Sequence, residues 1–418
     1  MKLYAARYLV TQNDRREVFS PGAIAVDGRF VADAGSAAAV MARHGGAAVE
    51  DLGESVLLPG FVNAHAHVPM SAFRGLGDDK PLMAWLNEDI FPREAKWTPG
   101  GIERAARASL EEMLATGTTS FFDMYMLEEN VFRAADETGI RGLLGENVTR
   151  FFPQLGGETE EALFSRIREN ASAWRAHPRL DAAVAPHAVY TTDPGLLKRA
   201  RALADDLGCV FAMHMAETKG ETADCIAARG MRPVQYCDSL GILDSRTTLF
   251  HCVDVDDRDI DTLARRGCAV VTNPASNLKL ASGVAPVAKM LAAGVNVAIG
   301  TDGPASNNAQ NMVRETWLAA LVGKCAAGAP DAMTAQMALD MATRGGAAAL
   351  HEPKAGSLAP GFYADFFALS LECPHMRPVN DIVSNVVYCA TGLENTLTVV
   401  DGREVWRGPA KGGLPIAV

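Results

Sequence analysis

Leu57-Leu58-Pro59-Gly60-Phe61-Val62-Asn63-Ala64-His65-Ala66-His67 is the stretch on which both fold and chemistry turn. An apolar run passes a Pro-Gly step and ends in two histidines spaced i, i+2. Side chains alternate faces along a β-strand, so His65 and His67 are expected to point the same way at the strand's end. There two imidazoles can share one metal ion. Such a pair needs further ligands, and the chain downstream offers them in order.

Apolar β-type runs recur at 118–124, 141–148, 180–187, 209–214, 247–252, 268–273 and 295–302. With an opening strand at 57–63 they make eight. Helical patterns lie between them at 102–115, 128–137, 160–176, 194–207, 256–266, 284–293 and 311–326. Nearly continuous apolar strands are what parallel strands covered on both faces require. The alternation reads as an α/β fold, a (β/α)8 TIM barrel with insertions. An open doubly wound sheet is the runner-up, but no Gly-rich phosphate turn follows the first strand.

The ends of the chain share a pattern. An alternating run at 23–31 is centred on Asp27-Gly28, and one at 399–406 is centred on Asp401-Gly402. Asp-Gly between alternating apolar residues signals a hairpin. Two matching hairpins suggest a small composite β-sandwich from residues 1–58 and 356–418, with the barrel at 59–355.

The polar residues sharpen this picture. His65/His67, His187, His214, His251 and Asp302 each close one of the apolar runs. Barrel enzymes gather their catalytic groups at the C-terminal ends of different strands. A catalytic zinc-type site needs a few N/O ligands at about 2.0–2.2 Å and one open position. His65, His67 and His214 supply imidazoles and Asp302 a carboxylate. Such a set suits Zn or Fe(II) better than Mg or Ca. No lysine ends the fourth strand (Ala185-Pro186-His187), so one divalent metal is expected rather than a carbamate-bridged pair.

Glu217 lies three residues past His214 and is expected on a loop leaning back over the metal, as a proton carrier. The plainer reading is a solvated glutamate beside Lys219 and Glu221. His251 is expected to orient the attacking water or act as an electrostatic donor, against the alternative of a satisfied core histidine.

Composition narrows the class. The 418 residues are 48% hydrophobic and 21% charged, an ordinary globular balance. A net charge of -11 without a basic cluster argues against nucleic acid as a partner. Residues 1–8 lack the apolar core of a signal peptide, and no window approaches a membrane span. The eight cysteines are scattered without a C-x-x-C pair, as reduced thiols would be. A cytoplasmic enzyme is the expectation.

The motifs P-G-F-V-N-A-H-A-H, H-M-A-E-T and G-T-D-G-P-A-S-N-N, in this order, resemble the amidohydrolase superfamily. Within it the chain is most similar to the 5-methylthioadenosine/S-adenosylhomocysteine deaminase group, essentially end to end. The resemblance implies hydrolytic deamination of an adenine ring: hydroxide adds to C6, Glu217 protonates N1, and Asp302 assists loss of ammonia. It also implies substrate contacts. Trp85 would cover the nucleoside, although it otherwise reads as a core residue of the stretch from Leu82. Glu94 would bind the ribose hydroxyls and His187 would touch substrate. Arg150 would meet a homocysteine carboxylate, although 145–152 departs from the expected pattern. Ser306 and Asn307 read as loop-shaping residues.

Sister groups act on guanine, cytosine or chlorinated triazines with nearly the same metal set. Glu94 separates them, since a free base or triazine has no vicinal diol. A non-catalytic scaffold is the third reading, ranked last because every expected ligand is present. The zinc cytidine deaminase type is excluded by the absence of its H-x-E and P-C-x-x-C signature. The small-molecule nucleoside is the expected partner; an exposed sandwich edge and the barrel helices also permit a homodimer.

Overall fold

The computed structural model describes residues 1–150 and 159–408. Its centre is a ring of eight parallel strands in sequence order. They are Phe61–Ala66, Thr118–Tyr125, Arg141–Val148, Leu180–Pro186, Val210–Met215, Thr247–His251, Ala269–Thr272 and Asn296–Ile299. The seam between last and first strands is closed by the Asp302 N–H donating to the His65 carbonyl at 2.9 Å, beside a parallel bridge between Ala66 and Asp302. Nearly every strand residue is buried, as expected for a sheet lined by helices outside and side chains within. The inner core includes Val62, Ala64, Phe122, Ala185, Phe250 and Val271. A larger core fills the space between strands and helices. The protein is therefore a TIM barrel, as the sequence pattern implies.

Two expectations change. The opening run 57–63 is not one strand. Ser55–Pro59 pairs antiparallel with Phe366–Ser370, and the barrel strand begins only at Phe61. Gly60 is the crossing point, where a Cβ would sit 1.8 Å from the Thr119 hydroxyl oxygen. The second change lies after the fifth strand, where no helix was expected. Lys219–Arg229 and Pro233–Ser239 occupy that connection. Their local signals are sound: Thr218 caps the first helix by accepting from the Glu221 N–H, and Gly230 ends it in the left-handed region. The apolar stripe is missing, because only Thr222 and Cys225 of that helix are buried.

Strands from both ends of the chain build two further sheets. One orders Phe30–Ser36, Gly22–Asp27, Lys2–Ala6 and Ala48–Asp51. The other orders Arg403–Arg407, Asn395–Val400, Phe366–Ser370, Ser55–Pro59, Tyr8–Val10 and Val18–Phe19. Tyr4, Leu9, Ile24, Leu57, Phe366 and Leu397 share their core. Both Asp-Gly hairpins form, and their turns meet: a Cβ on Gly402 would lie 1.9 Å from the Gly28 carbonyl oxygen. Arg141 of the barrel joins the two units. It is buried, pairs with Asp365 at 2.7 Å and Asp401 at 3.3 Å, and stacks 3.8 Å from the Tyr363 ring centre. The segment 371–394 leaves the sheet and carries the helix Ile382–Tyr388, tied to the barrel by Asn311 donating to the Thr391 carbonyl. Residues 409–418, at the end of the expected sandwich segment, lie outside the described residues.

All eight cysteines are free thiols. No helix among the described residues is long and apolar enough to cross a membrane.

Candidate metal centre

His65 closes the first barrel strand, and His67 follows it at the head of a short 3-10 helix. Simple alternation does not bring them together. Val62 and Ala64 already face the inner core, so His65 turns inward through a register irregularity between Asn63 and Ala66. Its ring then stacks 3.8 Å over Phe250, fully buried. His214 comes from the fifth strand and Asp302 from just past the eighth, at φ +62°.

The nitrogens that face one another are acceptors in need of a cation. His67 Nδ1 donates to the Met124 carbonyl at 2.5 Å, and His214 Nδ1 donates to the His187 carbonyl at 2.9 Å. A carbonyl can only accept, so in the neutral form of either ring Nε2 carries a lone pair. Those two Nε2 atoms lie 3.3 Å apart. Asp302 Oδ1 is 3.4 Å from His65 Nε2 and 3.2 Å from His67 Nε2. Neither ring nitrogen of His65 has a hydrogen-bond partner, although both are buried. An ion with ligands at about 2.1 Å spaces neighbouring donors roughly 3.0–3.4 Å apart. The cluster has that spacing and fits a divalent metal.

The electrostatics agree. Burial pushes His65 down to about 3, so its ring is neutral and free to ligate. Burial also drives His214 well below its usual value. Burial opposes the Asp302 charge, but His65 and His67 outweigh it and hold the carboxyl well below the usual range. Burial likewise opposes charge on His67, yet Asp302 pulls it up to about 9. This corner demands positive charge, which a metal ion supplies without a proton.

Around the cluster each polar group is held from behind. Ala216 adopts φ +49°, which turns the chain after His214 and brings Glu217 into the pocket. The Glu221 carboxylate fixes that turn by accepting the N–H groups of Ala216 at 3.1 Å and Glu217 at 2.7 Å. Glu217 is therefore buried rather than solvated; burial raises its pKa, with His251 pulling the other way. Its Oε2 lies 3.9 Å from His251 Nε2, and Ser282 donates to its Oε1 at 3.4 Å. His251 sits at φ +71° with Nδ1 2.8 Å from the Asn277 side-chain oxygen. Asp302 Oδ2 receives the hydroxyls of Ser276 at 2.5 Å and Ser306 at 2.8 Å, leaving Oδ1 to the cluster. Glu315 steadies both serine loops, accepting from the Ala275 N–H and from the Asn307 amide. Ser276, Asn277, Ser282, Glu221 and Glu315 escaped the sequence reading, and Ser306 was read as shaping a loop.

A cleft of about 630 Å³ opens above the cluster. Trp85, Glu94 and His187 line it with Glu217, His251 and Asp302. Trp85 is buried, with its indole N–H donating to the Leu76 carbonyl at 3.1 Å, and it also lines the cleft. Glu94 accepts from the Tyr125 hydroxyl at 2.6 Å, and burial pushes its carboxyl up to about 7. The His187 ring lies 4.8 Å from that of His214, and burial takes it down to about 3. Arg150 stands apart. It pairs with Asp193, is half exposed and is absent from the described lining. Residues 151–158 beside it lie outside the described residues.

The amidohydrolase family model matches residues 56–405. A 5-methylthioadenosine/S-adenosylhomocysteine deaminase of Nitratidesulfovibrio vulgaris is 46% identical over 401 residues, covering 96% of this chain and 90% of that protein. A zinc-bound adenosine deaminase from Xanthomonas campestris superposes with a TM-score of 0.92 at 33% identity, over 96% of this chain and 92% of its own. An atrazine chlorohydrolase from Arthrobacter aurescens, also complexed with zinc, superposes at 0.89 with 24% identity, over 97% and 95%, and shares the fold.

Proposed function

The chain belongs to the amidohydrolase family, and from that premise we propose that it hydrolyses the 6-amino group from adenosine-type nucleosides. Methylthioadenosine, S-adenosylhomocysteine and adenosine are the substrates in view; the products are the inosine analogue and ammonia. The observation that carries the reading is the joining, in one pocket, of the histidine–aspartate cluster and buried Glu217 with the carboxylate of Glu94 and the indole of Trp85. The first group suits water-driven attack on a ring, and the second suits a ribose.

His65, His67, His214 and Asp302 are the proposed metal ligands, with zinc the proposed occupant and iron the alternative. When bound, such an ion acidifies a neighbouring water towards a pKa of about 7. Glu217 takes a proton from the attacking water and delivers it to ring N1 as C6 becomes tetrahedral. Its raised pKa suits a group that must accept and then release a proton near neutrality. His251, its Nδ1 held by Asn277, orients that water through Nε2. Asp302 passes the remaining hydroxyl proton to the exocyclic amine, which departs as ammonia. Trp85 covers the nucleoside, Glu94 takes the ribose hydroxyls and His187 contacts the base. Arg150 meets the carboxylate of a homocysteinyl substituent, releasing Asp193 as it does so.

This reading places the protein in the cytoplasm, which its free thiols support. A free-base or triazine hydrolase on the same barrel is disfavoured by Glu94.

The test is ammonia release from adenosine, methylthioadenosine, S-adenosylhomocysteine, guanine and cytosine. Turnover of the adenine nucleosides is expected. Activity confined to guanine or cytosine would overturn the assignment, and elemental analysis of the purified protein should find about one zinc or iron per chain.

A further inference from the structure

We propose that Tyr125 is a positioning residue for ribose recognition: its phenol, oriented by Trp97, aims the Glu94 carboxylate at the sugar hydroxyls. The inference rests on the reading of Glu94 given above and adds the device that makes it selective.

Three side chains form a directed chain of hydrogen bonds. The Trp97 indole N–H donates to the Tyr125 hydroxyl oxygen at 2.9 Å. An indole can only donate, so the phenol oxygen must accept there. The phenol's single proton therefore goes to Glu94 Oε1, 2.6 Å away. That length is typical of an O–H donor on a carboxylate. With Glu94 ionised, chemistry fixes the direction of every bond in the series.

The anchor itself is rigid. Tyr125 is the last residue of the second barrel strand and is 3% exposed. Its backbone N–H is held by Glu128 at 2.8 Å, and its ring lies 6.4 Å from that of His67. Glu94 and Trp97 belong instead to the long connection after the first strand. They are joined by the Trp97 N–H donating to the Glu94 carbonyl at 2.9 Å. One barrel side chain thus bonds to both Glu94 and Trp97. A glutamate's terminal torsion is broad, and the bond from Tyr125 narrows the orientations open to this carboxylate. In the nucleoside the distance from C6 to the ribose diol is limited by covalent structure to a narrow range for a given glycosidic torsion. Fixing Glu94 to the strand beside His67 therefore sets the pocket to that span.

Tyr125→Phe tests this on 5′-methylthioadenosine and on its analogue lacking both ribose hydroxyls. Wild-type protein is expected to prefer the ribose form. The variant should lose about tenfold of that preference through KM, with kcat on the ribose form and both constants on the analogue little changed. Trp97→Phe, which keeps a ring against Phe73, should shift the ratio the same way by about threefold. A wild-type ratio in both variants overturns the role of Tyr125. So does an equal loss of kcat on both substrates, the mark of a merely structural residue. If the wild type has no preference for the ribose form, the Glu94 reading falls, and this inference with it.

Discussion

At the floor of the pocket each side chain proposed to react stands at or just past the end of a barrel strand, and most have a second polar atom held from behind. Ser276 and Ser306 hold Asp302, Asn277 holds His251, and the carbonyls of Met124 and His187 hold His67 and His214. The wall above, residues 76–97, has no strand beneath it. It is a succession of short helical turns with contacts of its own, Lys80 with Glu88 and Asp89 and Trp85 with the Leu76 carbonyl, and with a tie to the barrel side through Asp78 and Lys279 at 2.6 Å. Its tie to the barrel through Glu94 runs by way of Tyr125. Under the proposed function the floor would hold atoms still during the reaction, and the wall would receive the substrate. Damage to the two should therefore appear in different kinetic constants.

The widest gap between them should come from Glu217→Gln. Turnover is expected to fall by on the order of 10² to 10⁴-fold, while elemental analysis still finds the metal. Normal turnover would remove Glu217 from the chemistry. Glu94→Gln addresses the wall: KM for methylthioadenosine should rise about ten- to a hundredfold with kcat nearly intact. A fall in kcat instead would erase the distinction between wall and floor. Arg150→Ala should weaken kcat/KM for S-adenosylhomocysteine a few-fold, about the worth of an exposed ion pair, and leave methylthioadenosine alone. Equal effects on both substrates would detach Arg150 from the homocysteinyl carboxylate.

The smallest effect concerns the floor's supports. Burial pushes the Glu315 carboxyl from 4.5 up to about 7. Between those values the folded protein keeps a proton that the unfolded chain has released. The stability this group contributes is thus present below about 4.5 and is lost as pH rises through about 7. Melting temperatures of wild type and Glu315→Gln, compared across that window, should show the wild type losing ground as pH rises. A pH-independent difference would mean that Glu315 is ionised throughout.

Much of the floor was legible in the sequence because its proposed ligands end apolar runs, and parallel strands buried on both sides must be apolar. The pairing of His65 with His67 was right in outcome but not in cause, since a register irregularity turns His65 inward where alternation alone would not. Gly60 looked like the middle of a strand because its constraint, the Thr119 side chain, comes from a distant part of the chain. The helix Lys219–Arg229 escaped notice because it buries almost no apolar surface. Ser276, Asn277 and Glu221 are ordinary polar residues in sequence, and only their partners across the fold give them meaning. Trp85 and Glu94 came into view through resemblance, since nothing local separates a pocket tryptophan from a core one.

The bond that seals the barrel runs between His65 and Asp302, two of the proposed ligands. An ion seated there would act as a clasp on the ring's last joint, so that loading and closure become one event. Stripped of it, the cylinder should loosen first along that line, and exchange of the Asp302 amide hydrogen would time the opening.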